Sequence, residues 1–467
     1  MIQFMTPFTV HLPGDKSITH RAFIFAALAQ GESCIHNVGE GEDLASTRHV
    51  LQQLGVQMMP IKKKSWLVKG MNGLEHFREP QKPLNCGNSG TTMRLMAGLL
   101  SGAPFSVTLV GDHSLQARPM KRLTVALAPF GRVIETNAQG KAPITVGGPL
   151  NHKQNAQTTS SKEEAKDIAE RTQELIEIHT QSSSAQLKSA ALLAGLSSPK
   201  AVRITENRLS RDHSERMLGS LWSRVPKLYL PAIKPKIKGF NFISPGDFSS
   251  ASFWIAMSAL SGSAAPSIII PNLNLNPSRM GLFRIAQRMG MNLTAQVTEE
   301  RLGEPVGTLI IAPLNKEQTL QGITLNEQEV LEALDELPIV ALIASFAHGT
   351  TVVQGARELR VKESDRIEAM TQGLQKLGVD ISSLPDGWKI TGQPELTAEG
   401  KLNLESHGDH RIALCFMIAG IKAQTASLSI QDLSCVAISY PEFFSEYEQY
   451  FEHCHFNNPI TSFEDNS

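Results

Sequence analysis

Residues 51–59 read LQQLGVQMM, and the phrase recurs as LAPFGRVIE at 127–135, IAQRMGMNL at 285–293 and LQKLGVDIS at 374–382. In each copy a helix-like run ends on a glycine and a β-like segment follows. Gly55, Gly131, Gly290 and Gly378 fit the position just past a helix C-terminus. There φ is positive and glycine carries no steric penalty. A repeat of this length predicts several α+β units of one type, hence an α/β (α+β) fold class. The wide gap between Gly131 and Gly290 leaves room for one further, degenerate copy. The plainer reading is that helix-to-strand junctions commonly carry glycine.

The chain has 467 residues, enough for two or three domains, and 41% of them are hydrophobic, enough for sizeable cores. Lys+Arg number 44 and Asp+Glu 45, for a net charge of -1. That balance argues against general nucleic-acid or membrane-surface binding, so any basic site must be a local concentration of charge. The cysteines Cys34, Cys86, Cys415, Cys435 and Cys454 are scattered and form no C-x-x-C pair, which points to a reducing compartment rather than a disulfide framework or zinc site. The start lacks the apolar stretch of a signal peptide, and no apolar run reaches the ~18 residues of a membrane span. A soluble, cytoplasmic protein is expected. Two stretches break the repeat. Residues 151–180 are polar, with a capping-box start at Ser161 and Glu164 and helical spacing of Ala165, Ile168, Ala169 and Ile176, which predicts an inserted amphipathic helix or arm. The tail has no periodicity.

Many predicted helices begin among polar or charged residues. PGDKSITHR at 13–21 makes a turn and runs into an apolar helix, with Ser17 and Arg21 on one face. Cations at that end oppose the helix dipole. A helix N-terminus with Lys16 and Arg21 beside it suits a phosphate or carboxylate. LNCGNSGTTMRLMAGLLSG at 84–102 is a Gly- and Ser/Thr-rich loop entering a helix, without the G-K-[ST] of a Walker loop. Its Gly87 and Gly90 allow close backbone approach to a ligand. Arg118 precedes Pro119 in a loop leading to a helix. Ser184 and Gln186 open an apolar helix, and Arg211, Asp212 and His213 stand just ahead of another. SPGDFSSASF repeats the Pro-Gly-Asp turn at Gly246–Ser249. ALDELP places Asp335 at a helix start, and KESDRI, read as a helix opening, spaces Lys362 and Arg366 four apart and Glu363 and Arg366 three apart. SHGDHRIA follows. One or two such starts are ordinary capping, but so many suggest convergence on a shared anionic ligand.

PGDKSITHR, GNSGTTMR, RPM, SAQLKSA, SRDHSERML, DELP, RVKESDRI and DHRIA together resemble the 5-enolpyruvylshikimate-3-phosphate synthase family of enolpyruvyl transferases, in the family's order. The likeness runs from His11 to about Tyr450 apart from 151–180. It implies two lobes, each of three βαβαββ units around a helical core, with helix N-termini facing a cleft. One lobe would span 13–236 with the inserted helical arm at about 151–180. The other would combine 1–12 with 237–450, leaving 451–467 as a tail. The implied reaction joins shikimate 3-phosphate to phosphoenolpyruvate with release of phosphate, and needs no metal or organic cofactor. The partners are these two small molecules, with neither nucleic acid nor membrane, and the family default is a monomer. The reactants carry roughly five to six negative charges, which accounts for cations placed against a helix dipole.

By the same resemblance Lys16, Ser17, Arg21, Ser184, Gln186, Arg211, Asp335 and Lys362 would hold shikimate 3-phosphate. Lys16, Gly90, Arg118, Gln186, Arg366 and Arg411 would surround phosphoenolpyruvate. Asp335, Glu363 and Lys16 are the catalytic candidates, since one proton must leave the 5-hydroxyl and one must reach the methylene carbon. The chain departs from the family at Ile438, where many members have a Lys near phosphoenolpyruvate, at Leu95, where a Pro is common, and at Glu358, where some have Asn. The space beside Gly90 predicts inhibition by glyphosate. Two alternatives stand beside this reading. One is the sister transferase acting on UDP-N-acetylglucosamine, which typically uses a loop cysteine that this chain lacks around Arg118. The other is a non-enzymatic anion-binding relative, for which Asp335 and Glu363 would have no use.

Overall fold

Gly55, Gly131, Gly290 and Gly378 all have positive φ, from 67° to 98°, in the computed structural model of the chain. Each separates a helical segment from a strand. Gly55, for example, follows the helix Glu42–Gln53 and precedes the strand Gln57–Lys62, and Gly378 stands between Arg366–Lys376 and Asp380–Leu384. The further copy lies at the helix His213–Leu221 and the strand Tyr229–Leu230, with no glycine in the segment between them. The structure describes residues 5–455 apart from 133, 149–174, 181–183, 223–227, 394, 396–398 and 423–425.

The chain groups into two compact units, one of residues 16–244 with 301–304, the other of residues 1–15, 245–300 and 305–467. In the first, three sheets surround the helices Lys16–Leu28, Gly90–Leu100 and Ala185–Leu196, which are mostly buried. One sheet shows the repeat in full. Leu84–Asn85 pairs in parallel with Ser106–Val110, which pairs antiparallel with Ile144–Gly147, and Ile134–Glu135 closes the edge. A parallel pair needs a crossover, here the helix Gly90–Leu100, whereas the antiparallel neighbours Ile134–Glu135 and Ile144–Gly147 are joined directly by the loop 136–143.

The second unit follows the same scheme. Phe8–Thr9 pairs in parallel with Ile268–Asn274, and the long hairpin Asn292–Arg301 and Glu304–Ala312 completes that sheet. Gly349–Val353, Gly387–Gly392 and Asp380–Leu384 form a second sheet, Gly400–Glu405 and Ala426–Gln431 a third. The helices Phe248–Ser261, Leu337–Ala344 and His410–Ala419 run through the core, and every residue of Leu337–Ala344 is buried. A helix apolar all round is a core helix, and each buried Leu or Ile contributes roughly 1.5–3 kcal/mol.

The structure departs from two expectations. The helical spacing carried through Ile176 gives way to a strand, Leu175–Thr180, parallel to Ala201–Glu206. Its alternating pattern, with Ile178 and Thr180 inward, satisfies a sheet rather than a helix face. The rest of the predicted arm, with Ser161, Glu164, Ala165, Ile168 and Ala169, lies outside the described residues. The tail begins later than residue 451, because the helix Phe443–Cys454 continues until His455 turns left-handed, and Phe451 packs against Tyr447 and Tyr450.

Candidate active site

In the first unit three buried helices begin close together. The helices Gly90–Leu100 and Ala185–Leu196 touch at Gly98, where a Cβ would stand 2.3 Å from the Ala190 carbonyl oxygen, so only glycine permits the approach. That contact sets Gln186 beside the first turn of the neighbouring helix. Its Nε2 donates to Thr91 Oγ1 at 3.0 Å, and its Oε1 accepts from Arg94 Nη1 at 2.8 Å. A Cβ on Gly90 would fall 2.7 Å from Arg94 Nη1 and 3.3 Å from Arg118 Nη1. Arg118 follows the short helix His113–Ala117 and donates from Nη2 to Asn88 Oδ1 at 2.6 Å. Gly90, Arg118 and Gln186 are therefore brought together, with Arg94 among them.

Lys16 opens the helix Lys16–Leu28 and donates to Asp43 Oδ2 at 2.6 Å. Arg21 is buried one turn on, donating to the Ser17 carbonyl, Ser214 Oγ and Ser189 Oγ, each at 2.7 Å. Ser214 lies in the first turn of the helix that Arg211 precedes, so Arg21 and the Arg211 loop share a neighbourhood. Ser184 stands at the N-cap of Ala185–Leu196, but its side chain makes no capping bond. These positions combine several cations with helix N-termini, the elements of an anion site.

The second unit gathers the remaining candidates. Asp335 lies on the turn Leu334–Glu336, ahead of Leu337–Ala344. Its Oδ1 is 3.3 Å from Lys362 Nζ and 3.7 Å from Arg366 Nη1, and its carbonyl accepts from Arg411 Nη1 at 2.9 Å. Arg366 is buried, donating to Asp409 Oδ2 at 2.7 Å and Glu363 Oε2 at 2.6 Å. Burial works against its charge, but Asp409, Glu363 and Asp335 outweigh that and raise its pKa. The same pairing holds the Asp409 carboxyl below its ordinary value against the desolvation that would raise it. Asp409 also caps His410–Ala419 by accepting from the Arg411 N–H at 3.0 Å.

KESDRI does not open a helix at Lys362. The helix begins at Arg366, because Asp365 caps it by accepting from the Glu368 N–H at 3.1 Å, a role Asp fills better than an interior position. Lys362 and Glu363 precede it in bent backbone, and the Glu363–Arg366 pair forms all the same. Ile438 ends the turn Leu433–Ile438, and its side chain lies outside the described residues. Leu95 is fully buried and Glu358 exposed.

A family model described as EPSP synthase (3-phosphoshikimate 1-carboxyvinyltransferase) matches residues 8–447. The chain belongs to the EPSP synthase family. It is 38% identical over 441 residues to 3-phosphoshikimate 1-carboxyvinyltransferase of Desulfitobacterium hafniense, covering 93% of each chain. It is also 38% identical over 451 residues to the Gloeothece citriformis protein of that name, covering 94% of this chain and 92% of that one. The solved EPSP synthase from Acinetobacter baumannii is similar with a TM-score of 0.76 and 32% identity, over 96% of this chain and 97% of that one. The enolpyruvyl transferase NikO from Streptomyces tendae shares the fold, with a TM-score of 0.66 at 15% identity and coverage of 96% and 95%.

For a member of the EPSP synthase family, several contributors escaped the sequence reading. Arg94 was visible in GNSGTTMR, four residues after Gly90, yet its partner Gln186 lies 92 positions away. Asp43, Ser189, Ser214 and Asp409 carried no local sign of their partners. Among the described residues no group of three or more His, Cys, Asp or Glu is placed to hold a metal ion, and no helix is long and apolar enough to cross a membrane.

Proposed function

We propose that this EPSP synthase family member transfers the enolpyruvyl group of phosphoenolpyruvate to the 5-hydroxyl of shikimate 3-phosphate, with Asp335 and Glu363 moving the protons. The observation that carries the residue assignment is the setting of Asp335, a carboxylate flanked by Lys362 and Arg366 at a helix start. Asp335 accepts the 5-hydroxyl proton as that oxygen bonds to the enol carbon, and a proton reaches the methylene carbon through Glu363, with Lys16 assisting. The product of this addition is a tetrahedral intermediate. The bond from its central carbon to the phosphate oxygen then breaks, the new methyl group returns a proton to Glu363, and the enol double bond re-forms. Arg366 holds Glu363 at 2.6 Å. The negative charge of phosphoenolpyruvate, drawing on the same guanidinium, would free that carboxylate for protonation.

The anionic groups divide among the cations by the same reading. Lys16, Ser17, Arg21, Ser184, Gln186, Arg211 and Lys362 hold shikimate 3-phosphate with Asp335. Lys16, Gly90, Arg118, Gln186, Arg366 and Arg411 surround phosphoenolpyruvate. We take the protein to act as a cytoplasmic monomer on these small molecules and not on nucleic acid. The even charge balance supports the exclusion of nucleic acid.

The test is phosphate release from phosphoenolpyruvate with shikimate 3-phosphate or UDP-N-acetylglucosamine as acceptor. Release is expected with shikimate 3-phosphate alone, and Asp335→Asn is expected to lower kcat by about 10²–10⁴ while calorimetry shows shikimate 3-phosphate still bound. Release with the sugar nucleotide alone, or full turnover by the variant, would overturn the acceptor or the base respectively.

A further inference from the structure

The helix Ala185–Leu196, which carries Gln186, also buries a lysine. The Lys188 side chain is 1% exposed, and its Nζ lies 2.7 Å from Glu206 Oε1 and 2.7 Å from Glu215 Oε1, whose side chains are 3% and 9% exposed. It also donates to the Ser210 carbonyl at 3.3 Å. The second oxygen of Glu206 accepts from the Ser210 N–H at 3.2 Å and from Ser210 Oγ at 2.5 Å. All three polar groups of Ser210 are thus engaged by one lysine–glutamate pair. The preceding residues Asn207, Arg208 and Leu209 are exposed, and the next residue is Arg211.

Such an arrangement is a costly way to close a loop. Three charged groups leave water, one cation serves two carboxylates, and apolar packing of equal volume is often at least as stable. Burial pushes the Glu215 carboxyl above its ordinary value. What charged groups provide that apolar packing does not is directional hold on a backbone, and the backbone held here is the one that delivers Arg211.

We propose that Lys188, Glu206 and Ser210 form a positioning device for Arg211, fixing the guanidinium's point of departure so that it meets the phosphate of shikimate 3-phosphate. The inference rests on the reading of Arg211 as a ligand of that substrate. Ser189 and Ser214 strengthen the placement. They follow Lys188 and precede Glu215 in sequence and hydrogen-bond to each other at 2.8 Å and to Arg21 at 2.7 Å. The ion cluster therefore lies beside a second candidate cation of the same site.

The test is a double-mutant cycle in the full-length enzyme, with KM read separately for each substrate. Glu206→Gln and Ser210→Ala are each expected to raise the KM for shikimate 3-phosphate about ten-fold, leaving the KM for phosphoenolpyruvate unchanged and kcat within about two-fold. Added to Arg211→Ala, Glu206→Gln should have no further effect, because nothing is left to position. Additive losses, or equal rises in both KM values, would overturn the positioning role while leaving Arg211 as a ligand. An unchanged KM in Arg211→Ala alone would overturn the ligand reading and the inference with it. Should Glu206→Gln fail to fold, Ser210→Ala, which removes one hydroxyl, carries the same cycle.

Discussion

Replacing His20 by asparagine should flatten the acid side of the stability profile of the unit containing residues 16–244. His20 is wholly buried, its Nδ1 lies 2.7 Å from Thr47 Oγ1, and its Nε2 has no hydrogen-bond partner among the described residues. Burial pulls its pKa from 6.5 down to about 3. Asp43 opposes the shift, while Lys16, Arg21 and Arg48 add to it. The folded pKa lies below the unfolded one, so the unfolded chain takes up a proton that the folded chain refuses. The contribution is complete above pH 6.5 and drains away as pH falls from 6.5 toward 3. At about 1.4 kcal/mol per pH unit, lowering the pH by two units from 6.5 removes roughly 2–3 kcal/mol. Asparagine keeps a polar group toward Thr47 and cannot be protonated. Urea unfolding at a series of pH values, wild type against His20→Asn, reads the difference in slope, in which the titration of other groups cancels. The variant starts less stable near pH 7 and the gap narrows on acidification. Parallel profiles, or an imidazole resonance of His20 titrating near 6.5 in the native protein, would refute the reasoning.

Other outcomes follow from the same geometry. Asp409→Asn preserves a good helix cap but removes the charge opposite buried Arg366, leaving Glu363 as a partial substitute, and should cost about 2–4 kcal/mol by calorimetry at neutral pH. Because the Asp409 pKa is lowered in the folded state, that difference is present above the ordinary carboxylate range and should disappear as pH falls through the folded value. Gly90→Ala places a Cβ 2.7 Å from Arg94 Nη1, so the KM for phosphoenolpyruvate should rise about ten-fold and glyphosate inhibition should weaken in initial-rate assays, with the KM for shikimate 3-phosphate unchanged. Ile438→Lys adds a cation where many family members have one and should lower the KM for phosphoenolpyruvate about ten-fold, a change checked by the same assay.

The sequence by itself determined what depends on neighbours within a turn or two. The repeat glycines were legible because a left-handed residue after a helix is a local requirement. The Pro-Gly-Asp turn at 245–247 was legible because Asp247 caps the next helix two residues away, at 2.7 Å. The motifs carrying Lys16, Gly90, Asp335 and Arg366 were legible for the same reason. Local spacing also misled where two local explanations competed. Asp365 took the cap that a helix through Lys362 would have denied it, and pairing with Ala201–Glu206 claimed Ile176 for a sheet. Only the tertiary structure decided the electrostatic partners. Lys16 meets Asp43 across 27 positions, Arg366 meets Asp409 across 43, and Arg21 reaches Ser214 across 193. Those partnerships answer to charge, burial and distance after the chain has folded back on itself. A carboxylate in sequence gives no sign of which buried cation will claim it.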